Sequence, residues 1–209
     1  MNFSELKVEL QVKLQDTSDD IASRLGGWIN DTVDVAIDLA DVPGFKTMAS
    51  VNTVLGQAYL NLPSAFDGRL LYVGDTSGDL DLITLDELIE RYPTMAEVGN
   101  VAAVAREGSL LYYQPIPSAA ESLLVLYRRK ATRMVLATSV PEGLPEYLHR
   151  QVIISGAASF GFDMIEDGLE DGDKTNTNAQ RALFEDGLTL LREWVAKRRL
   201  HVSRSVWRY

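Results

Sequence analysis

Residues 20–45, DIASRLGGWINDTVDVAIDLADVPGF, contain the clearest structural signal in this chain. Their apolar side chains recur every three or four residues, which is the spacing of one helix face: Ile21, Leu25, Trp28, Ile29, Val33, Ile37 and Ala40. Thr17, followed by Asp20 three residues later, marks a helix start, and Pro43-Gly44 marks its end. The stretch therefore predicts a long amphipathic helix.

The residues in front of this helix fit two structures. Apolar residues that alternate with polar ones predict a half-buried strand: Leu6, Val8, Leu10, Val12 and Leu14. The three leucines alone also have the i, i+4 spacing of a helix, which Ser4 could cap and in which Phe3 could pack on Val8. Because Glu, Lys, Gln and Leu favour helix, we expect a helix over residues 5–15, with the strand as the alternative.

Short apolar runs separated by turn residues fill the middle of the chain, from about Val51 to Arg133. Three pairs of runs flank glycine-containing turns and predict hairpins: residues 51–55 with 58–62, 69–73 with 80–83, and 101–105 with 109–113. Residues 122–127 predict one more strand. A short helix interrupts the strands, since Thr84 and Glu87 form a capping box and Pro93 ends it. The pattern indicates an antiparallel β region of about six to eight strands.

Two further helices follow the β region. The first begins near Pro145 and has an apolar face: Leu148, Val152, Ile153, Ala157, Phe160 and Met164. Thr177 and Gln180 form a capping box for the second, which we expect to end near Leu200. Its apolar face comprises Leu183, Phe184, Leu190, Leu191, Trp194 and Val195. The polar, acidic segment Glu166–Asn178 between them predicts an exposed loop.

The predicted fold class is α+β, because helices from both ends of the chain must pack together around an inserted β region. We expect a discontinuous helical bundle formed by residues 1–48 and 140–200. An antiparallel β region covers residues 49–139, and an extended C-terminal tail covers residues 201–209.

The charge is unevenly distributed along the chain. The net charge is −10, and residues 1–100 carry 17 acidic and 6 basic side chains, whereas residues 197–209 carry five basic and no acidic ones. Such blocks often mark interaction tails. Because the acidic remainder would repel DNA, the basic tail with Trp207 and Tyr209 favours an acidic protein partner over nucleic acid.

No catalytic pattern is present in the sequence. The chain has no cysteine, and its two histidines, His149 and His201, lack partners at the spacing of a catalytic triad. The acidic segment from Asp163 to Asp173 does not have the spacing of a calcium loop, and a hydrolase built on it is the least favoured class. We expect no enzyme activity, no cofactor and no metal. With no long apolar run and no signal-like N-terminus, we also expect a chain kept in a cytoplasm-like compartment, without membrane contact.

Four segments, in this order, resemble the head–tail connector adaptors of tailed bacteriophages, which include the tail tubular protein A-like proteins. These segments are Trp28-Ile29-Asn30 in a helix ending at Val42-Pro43-Gly44-Phe45, residues 56–63 (GQAYLNLP), residues 106–117 (REGSLLYYQPIP) and residues 144–148 (LPEYL). The resemblance extends from Ser4 to about Lys197.

This resemblance implies a structural virion protein, assembled in the host cytoplasm, whose helical domain forms a twelve-fold ring beneath the portal. Its expected partners are the portal protein, a downstream tail protein (nozzle, stopper or tail tube) and further copies of itself, and genomic DNA passes through without specific binding. The C-terminal tail is expected to reach the portal through Lys197, Arg198, Arg199, Val202, Arg204, Val206, Trp207, Arg208 and Tyr209. The alternative function is a cytoplasmic, non-enzymatic scaffold or protein-interaction module.

Overall fold

The computed structural model describes residues 1–76, 78–170 and 172–203, with only the backbone of 67 and 199–203. It divides into two compact units, of which the first joins Met1–Pro43 to the chain from Ala131 onward and the second is Gly44–Lys130. The sequence placed these boundaries after residues 48 and 139. The first unit is helical and the second is mainly β, so the predicted α+β class is confirmed.

Among the described residues, four α-helices belong to the helical unit and one to the β unit: α1 (Phe3–Leu14), α2 (Asp19–Ala40), α3 (Leu85–Arg91, in the β unit), α4 (Ser155–Ile165) and α5 (Thr175–Ser203). A 3₁₀ turn, Glu146–Leu148, and a π-helical turn, His149–Ile154, lead directly into α4. In the described part of the chain, no helix combines the length and apolar character needed to cross a bilayer.

Helix α1 resolves the ambiguity between helix and strand. Its leucines are buried, whereas Val8 and Val12 are 60% and 71% exposed on the opposite side. The predicted helix is confirmed, but the contact of Phe3 with Val8 is wrong because Val8 points to solvent. The predicted Ser4 cap is also wrong: the amide of Glu5 donates to the Asn2 side chain at 2.9 Å, and the Glu5 carboxylate accepts from the Asn2 amide.

Small residues allow the helices to approach closely around α4. Its residues 155–159 are buried. A Cβ atom at Gly156 would meet the side chains of Thr32 in α2 and Phe184 in α5. Since Phe184 of α5 and Thr32 of α2 meet at the same glycine, α4 is the helix on which the others pack.

The β unit contains seven strands in its described residues: β1 (Lys46–Asn52), β2 (Tyr59–Asn61), β3 (Phe66–Gly74), β4 (Asp81–Ile83), β5 (Ala103–Glu107), β6 (Leu110–Gln114) and β7 (Ser122–Arg129). They form one sheet of order β1-β7-β3 and another of order β2-β6-β5-β4. Both sheets contribute to one apolar core, in which Leu111 of β6 and Leu123 of β7 are fully buried.

Only one of the three predicted hairpins is confirmed in full, namely β5 with β6 around Gly108. The first is wrong, because β1 pairs with β7 and β2 with β6. The second is confirmed only next to its turn, where Gly74 and Asp79 form an antiparallel bridge and the Leu80 amide donates to the Val73 carbonyl at 3.1 Å; β3 otherwise pairs with β7. Strand β4 pairs with β5 in parallel, so the region is not purely antiparallel as predicted. Strand partners differ from the prediction because β6 and β7, which carry long apolar runs, lie inside their sheets and pair with strands that are distant in sequence. The capping box of α3 is confirmed, with Thr84 bonded to the Glu87 amide at 3.2 Å.

Candidate docking site at the end of helix α5

Helix α5 extends past the end of α2. The guanidinium of Arg192 donates to the carbonyl of Leu39, the penultimate residue of α2, at 3.3 Å. Helix α5 continues from there to Ser203. Residues 193–203, the eleven that follow Arg192 in α5, span about 16 Å at the helical rise of 1.5 Å per residue. The end of α5 is therefore placed to contact a partner.

The surface chemistry of α5 changes along these last turns. Leu191 and Val195 are buried, whereas Lys197 and Arg198 are exposed. The guanidinium of Arg198 lies 4.2 Å from the ring centroid of the half-buried Trp194. Such a cation–π contact orients the arginine and stabilises it by about 0.5–1 kcal/mol at exposed sites. The result is a basic, aromatic end on an acidic protein.

The residues predicted to dock are distributed over three regions. Lys197 and Arg198 lie exposed on α5, and Arg199 and Val202 belong to the same helix, with only their backbone described. The remaining five lie outside the described residues: Arg204, Val206, Trp207, Arg208 and Tyr209. The predicted end of the helix near Leu200 is wrong, because the helix continues through Ser203.

Sequence reasoning missed the role of Trp194 at this end. We assigned Trp194 to the buried face of the helix, yet it is only half-buried and carries Arg198 on its ring. The i, i+4 spacing of an aromatic residue and an arginine on a helix is the signal that could have identified the pair.

The other end of α5 is fixed by Glu166, the C-cap residue of α4. Its carboxylate accepts from the backbone amides of Asn176 and Thr177 at 3.0 and 3.1 Å and from the Thr177 hydroxyl at 2.7 Å. These bonds lower the pKa of Glu166 to about 2, the Thr177 hydroxyl having the largest effect. A carboxylate at a helix N-terminus is also favoured by the helix dipole.

The predicted capping box is therefore wrong: helix α5 begins at Thr175, and Thr177 bonds to Glu166, so it does not form a capping box with Gln180. The predicted exposed loop is confirmed over residues 167–170 and 172–173, which are exposed and lie outside helix and strand. It is shorter than predicted, and next to it Lys174, only 14% exposed, forms an ion pair with Asp163 at 3.0 Å. These bonds hold α4 and α5 together at the base of α5.

His149 has a packing role in the helical unit. His149 is buried in the π-helical turn, with its Nδ1 atom 3.3 Å from the amino group of Met1 and its Nε2 atom 3.3 Å from the Leu144 carbonyl. Burial lowers its pKa below the ordinary value. Among the residues that the structure describes, no three His, Cys, Asp or Glu side chains are grouped to hold a metal ion.

The structure thus combines a helical unit with an inserted β unit and, at the end of α5, exposed basic side chains beside Trp194. The family model described as SU10 adaptor protein matches residues 1–206, so the chain belongs to the SU10 adaptor protein family, a family of phage head–tail adaptors. A comparison with curated proteins gives no match. Membership makes the protein a structural adaptor of the virion neck that interacts with portal and tail components.

Proposed function

We propose that twelve copies of this adaptor form a ring between the portal and the tail, around the channel through which the genome passes. The observation that carries the proposal is the end of α5. In a chain of a head–tail adaptor family, it extends past α2 and presents Lys197 and Arg198 beside Trp194. Acidic groups on the portal are the matching partner, because charge complementarity directs association and fixes register.

Residues 197–209 complete this contact. The arginines would bind portal carboxylates, and a planar guanidinium does so with two parallel hydrogen bonds. Val202, Val206 and Trp207 would fill apolar pockets, and residues beyond Ser203 could add a strand to an open sheet edge of the portal. Trp and Arg are among the residue types that most often dominate binding energy at interfaces.

The acidity of the subunit suits a DNA channel. Each copy carries a net charge of −10, so a ring would repel the phosphate backbone and not adsorb it. The genome could then pass without specific binding. The downstream side of the ring would contact a nozzle, stopper or tail-tube protein. The proposed adaptor is structural and uses no catalysis.

Negative-stain imaging of the purified protein with and without its phage's portal tests this function. We expect rings stacked on the portal along its axis, with twelve-fold averages. A discrete dimer that ignores the portal would instead support the alternative of a cytoplasmic scaffold or interaction module. Portal mixed with an unrelated acidic protein of similar size is the control for adsorption by charge alone.

A further inference from the structure

Two edge strands of the β unit have a cleft between them. Strand β3 lies at one edge of its sheet, and β4 lies at one edge of the other. Next to the turn that joins them, the Leu80 amide donates to the Val73 carbonyl at 3.1 Å. Farther from the turn the cleft is lined by residues 68–70 and 82–83 and by adjoining residues of β5 and α3. Its volume of about 700 Å³ lies within the range of ligand-binding pockets.

The inner side of this cleft carries an apolar side chain from each strand. Leu82 of β4 pairs with Val104 of β5, and paired residues present their side chains to the same face of a sheet. Val104 belongs to the core shared by the two sheets, so Leu82 faces that side, although it is 44% exposed. Leu70 of β3 packs against the same core and is only partly buried. The apolar side chains of a ligand could therefore pack on both strands.

A guanidinium group lies in the cleft without an acidic partner. Arg106, near the end of β5, is half-buried, and its guanidinium lies 5.7 Å from the ring centroid of Phe66 of β3. A Cβ atom added to Gly68 would lie 3.7 Å from the Nη1 atom of Arg106. Among the residues that the structure describes, the Arg106 guanidinium forms no hydrogen bond and no ion pair. Because a partly buried charge without a partner is unfavourable, the cleft favours an anionic ligand.

The carboxylates that line the cleft belong to its outer rim. Glu107 follows Arg106 in β5, so its side chain points to the opposite face of the sheet, where Ala105 packs against α3. Asp86 lies in the first turn of α3. Both acidic residues are exposed, and Arg69 adds a second guanidinium to the lining. The inner side of the cleft is therefore positive, with Arg106 as its charged group.

We propose that this cleft binds an extended, acidic segment of a partner protein, which adds a strand to β4 and places one carboxylate on Arg106. A peptide that joins a sheet edge is held by main-chain hydrogen bonds, and its alternate side chains determine specificity. With the carboxylate on Arg106, the side chains two positions away on the same face would pack on Leu70 and Leu82. The chain's own residues 204–209 do not fit, since they carry two arginines and no acidic side chain. The contact does not depend on the proposed ring.

Peptide binding to the full chain, followed by NMR titration, tests the carboxylate contact. The probe is the capped pentapeptide acetyl-VTETV-amide, which is rich in strand-forming residues, and the comparison peptide has Gln in place of Glu. We expect the wild type to bind the Glu peptide about tenfold more tightly than the Gln peptide, because hydrogen bonds between charged groups are the stronger ones. Arg106→Gln should bind both peptides equally. Arg24→Gln, at an exposed residue of α2, is the matched control and should keep the preference.

Two further measurements test strand addition and the position of the site. A Glu peptide that is methylated on its backbone nitrogens cannot donate hydrogen bonds to a sheet edge, so it should bind about tenfold more weakly. Leu82→Glu supplies a carboxylate to Arg106 from the protein itself and should weaken binding of the Glu peptide. Leu124→Glu, at a residue of β7 that is 41% exposed, is the matched control and should not.

Equal affinity of the wild type for the Glu and Gln peptides, or no binding of the Glu peptide at millimolar concentrations, would overturn the carboxylate contact. A preference for Glu that persists in Arg106→Gln would do the same. An unchanged affinity after methylation would overturn strand addition. Thermal melts establish that the variants fold, and the comparisons between peptides on the wild type decide the proposal even where a variant does not.

Discussion

At the scale of single residues, the carboxylate of Glu166 links the end of α4 to the start of α5. Its hydrogen bonds favour the ionised form and lower its pKa from the usual 4.5 to about 2. The folded protein therefore binds fewer protons here than the unfolded chain between these two values. The stability that Glu166 contributes is complete above pH 4.5 and is lost as the pH falls towards 2.

Glu166→Gln should lower the melting temperature at pH 7, because an amide is a weaker acceptor for the four donors of Asn176 and Thr177 and carries no charge for the α5 dipole. The difference from the wild type should narrow as the pH falls from 4.5 to 3. Melting curves at several pH values measure both effects. Glu170→Gln, in the same turn, is the matched control and should change little. Parallel curves for wild type and Glu166→Gln would contradict the assigned cap.

His149 should give stability a second pH dependence, which comes from burial and not from hydrogen bonds to a charged group. Burial lowers its pKa below 6.5, so the unfolded chain binds a proton before the folded one does. The stability that neutral, buried His149 contributes is fully present above pH 6.5 and is lost as the pH falls below that value. We expect the wild-type melting temperature to fall between pH 7 and 5, and His149→Gln to remove most of that slope. The chain's other histidine provides the control, since His201→Gln should keep the slope; a slope unchanged in His149→Gln would refute the assignment.

At this scale the sequence predicted a cap formed within one helical turn, but not a cap that joins distant residues. The Thr84–Glu87 cap was predictable because both residues lie within one turn. The Glu166 cap joins residues ten or more positions apart. These residues come together only after α4 and α5 pack, so no local sequence pattern predicts this cap.

At the scale of elements, helices were more predictable than strand partners. The i, i+4 leucines of α1 and the stripe of α2 are local patterns, and both helices form where the patterns place them. Strand β1 pairs with β7, about 76 residues away in sequence, and its partner is selected by burial of the whole sheet. Such pairing depends on tertiary packing, so turn residues alone do not predict it.

Substituting alanine for two glycines in helices should change the stability of the protein in opposite directions. A Cβ atom at Gly187 of α5 would lie 2.8 Å from the backbone oxygen of Gln151, which cannot move away easily. Gly187→Ala should therefore destabilise by about 1–3 kcal/mol. At Gly27 of α2 a Cβ atom would meet nothing within 4 Å, so Gly27→Ala should stabilise the helix by up to about 1 kcal/mol. Urea unfolding of both variants tests the packing, and equal shifts in midpoint would contradict it.

The end of α5 is the element through which we expect attachment. Deleting residues 201–209 removes a basic segment that follows Val195, the last buried position among the side chains of α5 that the structure describes. The melting temperature should stay within about 2 °C of the wild type, because surface changes usually alter stability by less than 0.5 kcal/mol. Binding to the portal should be lost in a sedimentation assay.

Charge reversal in the same assay tests the basic side chains without shortening the chain. The double variant Lys197→Glu and Arg198→Glu should weaken attachment at least tenfold, whereas Arg24→Glu, on exposed α2 surface, should not. Attachment retained after the deletion would refute the docking site. A large fall in melting temperature would instead place the segment in the subunit's own core.

At the scale of the whole molecule, the sequence predicted the α+β class and the adaptor resemblance, and the structure and the family match bear them out. It did not predict which apolar residues outside the helices and strands would be exposed. Val135, Leu136 and Val140 lie in a segment without helix or strand, so they have no period that could mark their exposure. Only the fold shows that Met134 is buried, with its backbone bonded to the Asn30 side chain, while Arg133 and Val135 on either side are exposed.

The mass of the assembled complex would establish whether the adaptor subunits form a ring on the portal. Purified portal is mixed with excess adaptor, freed of unbound subunits and measured by native mass spectrometry. We expect a single added mass of twelve times the 23.1-kDa subunit, with no intermediate species once the ring has closed. A portal that gains no mass, or that gains one or two copies at saturation, would contradict it.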